Sequence, residues 1–357
     1  MACKRSGVQF PSAPPLENAV SSRVKATVAA VTVVMRTFER PVMLARAIAS
    51  VLNQTFSDWE LVVVNNGGDP APVDAAVAVG RQANPTANIR VLHLDDRCGM
   101  EEASNRALAG CQSEFFVIHD DDDSWREGFL ARTVEVAHKN GSAAAVVSGV
   151  TKIQETYRGG KVWPVAYENF YLDEGRLTYR GMIGNNTFPP IAALFRTRLL
   201  SDVGMFDASL PVLGDWEFNL RAVNAGGFVF LNERLANYHT RTADSDRAAG
   251  NSITIGEDLH RDVKLRLQDR WLAEPAVNGV NKGVLSISAQ VLLDIDEVRR
   301  HGVQGNTGAP QDGDYIAHRT AEIIALRKPL RRIARSLRHP AHGARAVKRL
   351  LRRVLGK

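Results

Sequence analysis

Apolar residues recur along this chain with two alternating periods. Residues 27–35 are a nearly unbroken β-branched run, the pattern of a strand covered on both faces. Over 41–54 the apolar positions fall at Leu44, Ile48, Val51 and Leu52, which is helical spacing. A second buried-type strand follows at 59–64, a helix at 73–83, a third strand at 89–94, a helix at 100–109 and a fourth strand at 115–119. Strand and helix in regular alternation predict an α/β fold, a Rossmann-like and mostly parallel sheet flanked by helices.

Beyond residue 142 the rhythm changes. Two strands are expected at 143–150 and 152–157, with a turn at Gly159-Gly160, then a mixed stretch over 171–213. Gly214-Asp215-Trp216-Glu217 reads as a helix start, because acids in a first turn face the positive end of the helix dipole. Short strands are expected at 228–231 and 235–239. The chain then turns helical over 257–273 and 283–300, and a loop at 302–314 precedes the last helices.

In sheets of this kind ligands bind beyond the carboxyl ends of the strands. The four strand ends here are Arg36-Thr37-Phe38-Glu39, Asn65–Asp69, Asp95-Asp96-Arg97 and Asp120–Asp123, all polar or charged. The fourth is the most informative, because Phe115-Phe116-Val117-Ile118-His119 runs into four consecutive carboxylates. Like charges this close repel unless a cation or a shared proton relieves them. A divalent cation held by one or two of them, with substrate phosphates completing its shell, is the usual remedy, and a solvated acidic turn is the alternative. Neither G-x-x-x-x-G-K-S/T nor G-x-G-x-x-G follows the first strand, so a glycine cradle for phosphate is not expected.

Composition adds little: 45% hydrophobic and 24% charged residues are ordinary for a globular chain of 357 residues. No apolar run reaches the roughly 18 residues of a membrane span, and no secretory signal pattern opens the chain. Cys3, Cys98 and Cys111 have no metal-binding or disulfide spacing and suggest a reducing cytoplasm. Charge is more telling. From Arg327 to Lys357 there are twelve Lys and Arg and no acid, although the whole chain carries only +6. The rest of the chain is therefore net acidic. Ile323, Ile324, Leu326, Leu330, Ile333 and Leu337 share a face among those arginines, and Val347, Leu350, Leu351 and Val354 repeat the pattern. A basic amphipathic helix of this kind suits an anionic membrane surface. Packing on the body and nucleic-acid contact are the alternatives, and no nucleic-acid module supports the latter.

Several motifs in order resemble family 2 glycosyltransferases of the GT-A fold, over roughly residues 28–241. Arg36-Thr37-Phe38-Glu39-Arg40-Pro41 stands where the family has P-T-Y-N-R, and 47–55 match A-I-x-S-V-L-N-Q-T. Residues 60–69 replace E-L-I-V-V-D-D-G-S-x-D, and 99–105 resemble G-x-x-x-A-R-N. Residues 118–123 resemble F-L-D-x-D-D, 204–207 match G-x-F-D, and Gly214-Asp215-Trp216-Glu217 with Arg221 stand for E-D-W-x-x-x-x-R. The departures are Arg36 for Pro, Glu39 for Asn, Asn65-Asn66 for the paired Asp, and Gly214 for the acid before Asp215.

The resemblance implies an inverting transfer of a sugar from a nucleotide-sugar donor to a hydroxyl of a glycan or lipid-linked acceptor, in cell-wall, polysaccharide or glycolipid synthesis. By the same resemblance Asp215 is the catalytic base, with helix capping as its other reading. Thr37, Glu39, Asn66, Arg97 and Asp121 line the nucleotide, where Arg97 would meet phosphate or pair with Asp95 or Asp96. Asp120 and Asp122 would hold Mg²⁺ or Mn²⁺. His239 would complete that shell or bind diphosphate with Arg241, unless it is structural. Trp216 suits the core or an acceptor platform, and 184–190 is the place of an acceptor loop.

The expected organisation is a disordered extension over 1–25, a nucleotide-sugar-binding half over 26–125 and an acceptor and catalytic half over 126–256. A helical extension over 257–313 and the basic tail over 314–357 follow. A cytoplasmic enzyme, docked through 327–357 on the inner face of the membrane, is the expectation. Two other functions stay open: an enzyme that forms nucleotide sugars, and a non-catalytic sugar-binding relative.

Overall fold

The computed structural model describes residues 28–242, 257–276 and 280–302. Expectations for the N-terminal extension and for the basic tail fall outside the described residues.

The alternation read in the sequence gives β1 (Val31–Thr37), α1 (Pro41–Leu52), β2 (Trp59–Asn66), α2 (Pro70–Ala83), β3 (Asn88–Leu94), α3 (Met100–Leu108) and β4 (Phe115–Asp120). β1 runs parallel to β2 on one side and to β4 on the other, and β3 lies outside β2. Val31, Val33, Val34 and Met35 are fully buried because helices cover both faces of this central strand. α2 begins three residues before the apolar pattern does. There Asp69 caps the helix by accepting from the Ala71 N–H at 3.0 Å, and Pro70 follows it at the first position.

The remaining elements are β5 (Ser124–Trp125), α4 (Phe129–Lys139), β6 (Ala145–Arg158), β7 (Lys161–Phe170), α5 (Tyr179–Met182), β8 (Ala193–Arg196), α6 (Leu199–Asp202), α7 (Gly214–Gly226) and β9 (Phe228–Arg241). The nine strands form one sheet in the order β3-β2-β1-β4-β8-β6-β9-β5, with β7 paired to β6. β8 is antiparallel to both β4 and β6, so the sheet changes from parallel to mixed beyond β4.

Two expectations are corrected here. The strands read at 143–150 and 152–157 are one strand, β6, and those read at 228–231 and 235–239 are one strand, β9. The two pair in parallel from Ala145↔Phe228 to Glu155↔Arg241, and this ladder carries each strand through polar stretches where the apolar pattern breaks. The register shifts on either side of Gly149 absorb the mismatch as a bulge. Gly159 and Gly160 both adopt positive φ (54° and 75°), the backbone of a tight hairpin turn between β6 and β7.

The core runs continuously from Val31 to Trp271. Phe116 stacks on Phe195 at 5.3 Å between ring centroids, and Phe218 meets those two rings edge to face at 6.2 and 5.5 Å, which packs α7 against the sheet beside β4. Two further helices, α8 (Glu257–Ala273) and α9 (Lys282–Gly302), close over this region. Trp271 of α8 meets Trp216 of α7 edge to face at 5.2 Å, and Ser286 of α9 donates to the Ile183 carbonyl at 2.8 Å.

Candidate active site

The parallel ladder places Arg36 directly beside Asp120 and Thr37 beside Asn65, so the ends of β1, β2 and β4 form one rim. Every acid of the run at the end of β4 is met by a fixed partner. Arg36 pairs with Asp120. Thr37 Oγ1 donates to Asp121 Oδ2 at 2.7 Å, and Arg40 reaches Asp121 Oδ1 at 3.3 Å and Asp122 Oδ2 at 3.1 Å. Arg241, buried to 1% side-chain exposure, reaches Asp122 Oδ2 at 3.0 Å. Asp123 accepts from the His239 backbone N–H at 2.8 Å.

Burial raises the Asp121 carboxyl to about 7, with Asp122 and Asp120 adding repulsion and Arg40 and Thr37 opposing it. Burial also raises Asp123 well above its ordinary value, again with Asp122 and Asp120. The structure therefore gathers strained negative charge at one rim and balances it with guanidinium groups. The backbone is strained there as well. Among the described residues, Glu39 (φ +54°) and Leu213 (φ +65°) are the non-glycine residues at positive φ, and they flank this site from its two sides.

Around the rim the loops are tied down. Asn66 binds Cys98 twice through the backbone, Nδ2 to the carbonyl and Oδ1 from the N–H, each at 2.9 Å. Gly67, at φ +78°, lies so close to the next loop that a Cβ would stand 2.3 Å from the Arg97 nitrogen. Arg97 itself lies over the Phe38 ring at 4.0 Å. Glu39 is exposed at the mouth.

Asp215 occupies the first turn of α7. Its Oδ2 accepts from Asn186 Nδ2 at 2.6 Å, and burial raises its carboxyl against that bond and the Trp216 N–H. Glu217 is instead locked to Arg221 at 2.8–3.1 Å, while Arg221 also reaches the Met205 carbonyl. Trp216 is core, its Nε1 donating to the Met182 carbonyl at 2.7 Å.

The profile of Glycosyl transferase family 2 matches residues 32–204. The match spans just under half of the chain, and over that stretch the chain is similar to that family. Among relatives of this glycosyltransferase is the uncharacterized glycosyltransferase YwdF of Bacillus subtilis, 28% identical over 196 residues, 54% of this chain and 67% of YwdF. The putative colanic acid biosynthesis glycosyl transferase WcaA of Escherichia coli is 29% identical over 197 residues, 54% of this chain and 66% of WcaA. A structure of the mannosyltransferase PcManGT from Pyrobaculum calidifontis superposes with a TM-score of 0.51 over 89% of this chain and 87% of that one, at 17% identity. The fold is thus of the GT-A type. Of the functions the sequence left open, these likenesses support sugar transfer.

In this glycosyltransferase Thr37, Asp120, Asp121, Asp122 and Asp215 lie close together, with Asn66 at the end of β2 and Arg97 on the adjoining loop. His239 does not present a free ring to the carboxylates: Nδ1 lies 2.9 Å from Glu155 Oε2 and Nε2 2.9 Å from Ser124 Oγ. Among the described residues no three His, Cys, Asp or Glu side chains form a ready-made metal cage. Sequence reasoning passed over Arg46, Glu155, Glu101 and the bond from Asn186. Arg46 binds Glu155 through both of its terminal nitrogens and also the Asp122 carbonyl. Glu155 lies inside a strand, where a lone acid carries no periodic signal.

Proposed function

We propose that this glycosyltransferase moves a sugar from a nucleoside-diphosphate donor to a hydroxyl of a glycan or lipid-linked acceptor, with inversion at the anomeric carbon. The observation that supports this most is Asp215, half-buried in the first turn of a helix, oriented by Asn186 at 2.6 Å and within the electrostatic reach of Asp120 and Arg36. A raised carboxyl suits a base that must take a proton from an alcohol as it attacks. The donor would lie along β1, β2 and β4, with Thr37, Glu39, Arg97 and Asp121 around the nucleotide, while Asn66, both of its amide groups held by the Cys98 backbone, would shape that pocket through the loop it ties down. Residues 26–125 would thus serve the donor and 126–256 the acceptor.

Asp120 and Asp122 have the chemistry for Mg²⁺ or Mn²⁺. They are hard oxygen donors, and Asp120 is open to the rim at 29% side-chain exposure, leaving room for water and phosphate. Bound there, a divalent cation supplies neutralising charge to the departing diphosphate. His239 fits that shell poorly, because both ring nitrogens are engaged. Arg36 and Arg40 carry positive charge on the same rim and would face the diphosphate from the protein side.

The described helices include none long and apolar enough to cross a membrane. The composition of 327–357 supports peripheral docking on an anionic, cytoplasmic membrane face. The test of the function is transfer assayed with a panel of UDP-, GDP- and TDP-sugars, with and without Mn²⁺. GDP-mannose, bound in the Pyrobaculum structure, belongs in that panel. Absence of both transfer and donor hydrolysis across the panel overturns the proposal.

A further inference from the structure

One carboxylate outside the acidic run touches both halves of the site. Glu101, in the first turn of α3, is buried to 5% side-chain exposure. Its Oε2 pairs with Arg36 Nη1 at 3.1 Å, and the same nitrogen reaches the Met100 carbonyl at 3.3 Å. The other terminal nitrogen of Arg36 binds Asp120. Glu101 therefore holds the guanidinium that stands against the nucleotide-side carboxylate.

The opposite edge of Glu101 lies on α7. A Cβ at Gly214 would stand 2.2 Å from Glu101 Cγ, 2.3 Å from Oε1 and 2.6 Å from Cδ. No real side chain fits such distances, so the glycine is the seat of this carboxylate. The Gly214 N–H also favours the charged form of Glu101. Gly214 is the residue before Asp215, and it follows Leu213, whose left-handed backbone begins the helix without any side-chain cap. It is also the position at which the sequence departs from E-D-W. An acid is absent from residue 214, and one arrives from residue 101.

We propose that Glu101 is the positioning residue of the transfer reaction, fixing the start of α7, and with it Asp215, against Arg36 and Asp120. The inference rests on the reading of Asp215 as base. Its physical content is geometric. A strained helix start needs an anchor, and a base displaced by about 1 Å loses on the order of 10²-fold in rate. Glu101 supplies that anchor without touching substrate itself. The charged and titratable groups that act on it are Arg36 of β1, Asp120 of β4 and Asp215 of α7.

Steady-state kinetics on Glu101→Ala, Glu101→Gln, Asp215→Asn and the Glu101→Ala/Asp215→Asn double variant test this. Glu101→Ala should lower kcat about 10²-fold with donor KM nearly unchanged. Glu101→Gln, which can still accept from Arg36, should recover most of it. In the Asp215→Asn background, Glu101→Ala should cost nothing further in kcat, because residues that act through one another are not additive. A thermal-melt cycle checks the seat: Gly214→Ala should lower Tm in the parent chain and leave it unchanged or raise it with Glu101→Ala. If Asp215→Asn is inactive while Glu101→Ala keeps the parent kcat, the positioning role is wrong and the base stands. If Asp215→Asn keeps its rate, the base reading itself falls. Additive effects of Gly214→Ala and Glu101→Ala on Tm overturn the seat.

Discussion

The Thr37 hydroxyl donates a 2.7 Å hydrogen bond to the buried carboxylate of Asp121, joining the end of β1 to the end of β4. Both groups lie out of water, so the bond has no solvent substitute. Thr37→Val keeps the shape and leaves an acceptor short of one donor. The expected loss is about 1–3 kcal/mol of stability, read in denaturant melts, with weaker nucleotide-induced thermal shifts.

Asp122 has a second tie, to Arg40 and Arg241. Asp122→Asn removes the charge that both guanidiniums face and one of the two proposed cation ligands. Calorimetry should show loss of Mn²⁺-dependent donor binding, and the fold should weaken as buried Arg241 is left with Glu155 and Arg40 with Asp121. Binding of donor and Mn²⁺ at parent affinity would remove Asp122 from the cation site.

Asp215→Asn keeps the size of the side chain and removes the base. Donor affinity should hold while turnover falls on the order of 10²–10⁴-fold. Near-parent transfer would send the search elsewhere, although Glu217, locked to Arg221, is a poor substitute.

Burial raises the Glu101 carboxyl from its ordinary 4.5 to about 7, with Asp215 and Asp120 adding to it and Arg36 opposing. The folded state keeps this proton after the unfolded chain has lost it. Its contribution to stability is therefore complete below pH 4.5 and is lost as pH rises through about 7. Glu101→Gln should flatten the Tm profile between those limits. A profile of unchanged slope would show that Glu101 is ionised throughout.

The tail offers a test independent of the site. A chain ending at Leu326 should no longer sediment with anionic vesicles, while transfer to a soluble acceptor mimic stays near the parent rate. The full chain should wash off partly as salt rises, since each Lys or Arg near an anionic surface contributes about 1 kcal/mol that salt screens. Full-length protein that ignores such vesicles at low salt would end the membrane proposal.

Much of this arrangement was legible in the sequence because it follows from local pattern. The buried runs ending in Arg36-Thr37, Asn65-Asn66 and Asp120–Asp123 are strands whose ends must share a rim once the sheet is parallel. The start of α7 at Gly214-Asp215 was likewise visible in its acids. α4 was passed over even though Phe129, Leu130, Thr133, Val134 and Ala137 are buried at helical spacing. What could not be read was long-range complementarity. Nothing near Glu101 announces that it fills the hollow of Gly214, and nothing near Glu155 announces Arg46, Arg241 and His239. Such pairs are set by how layers meet, which leaves no periodic trace in either segment. His239 shows the converse, since a motif can deliver a residue to the right strand while neighbours decide where its ring is held.

The edge-to-face contact of Trp216 and Trp271 makes the chain its own optical gauge. One ring belongs to the helix that bears Asp215 and the other to the helix that covers it, and the chain has only five tryptophans in all. Two indoles 5.2 Å apart couple their electronic transitions, so their near-ultraviolet dichroism depends on mutual angle more than on solvent. Undocking of the C-terminal helices from the catalytic helix would therefore be visible as a change in spectral shape, in unlabelled protein, before any loss of helix content.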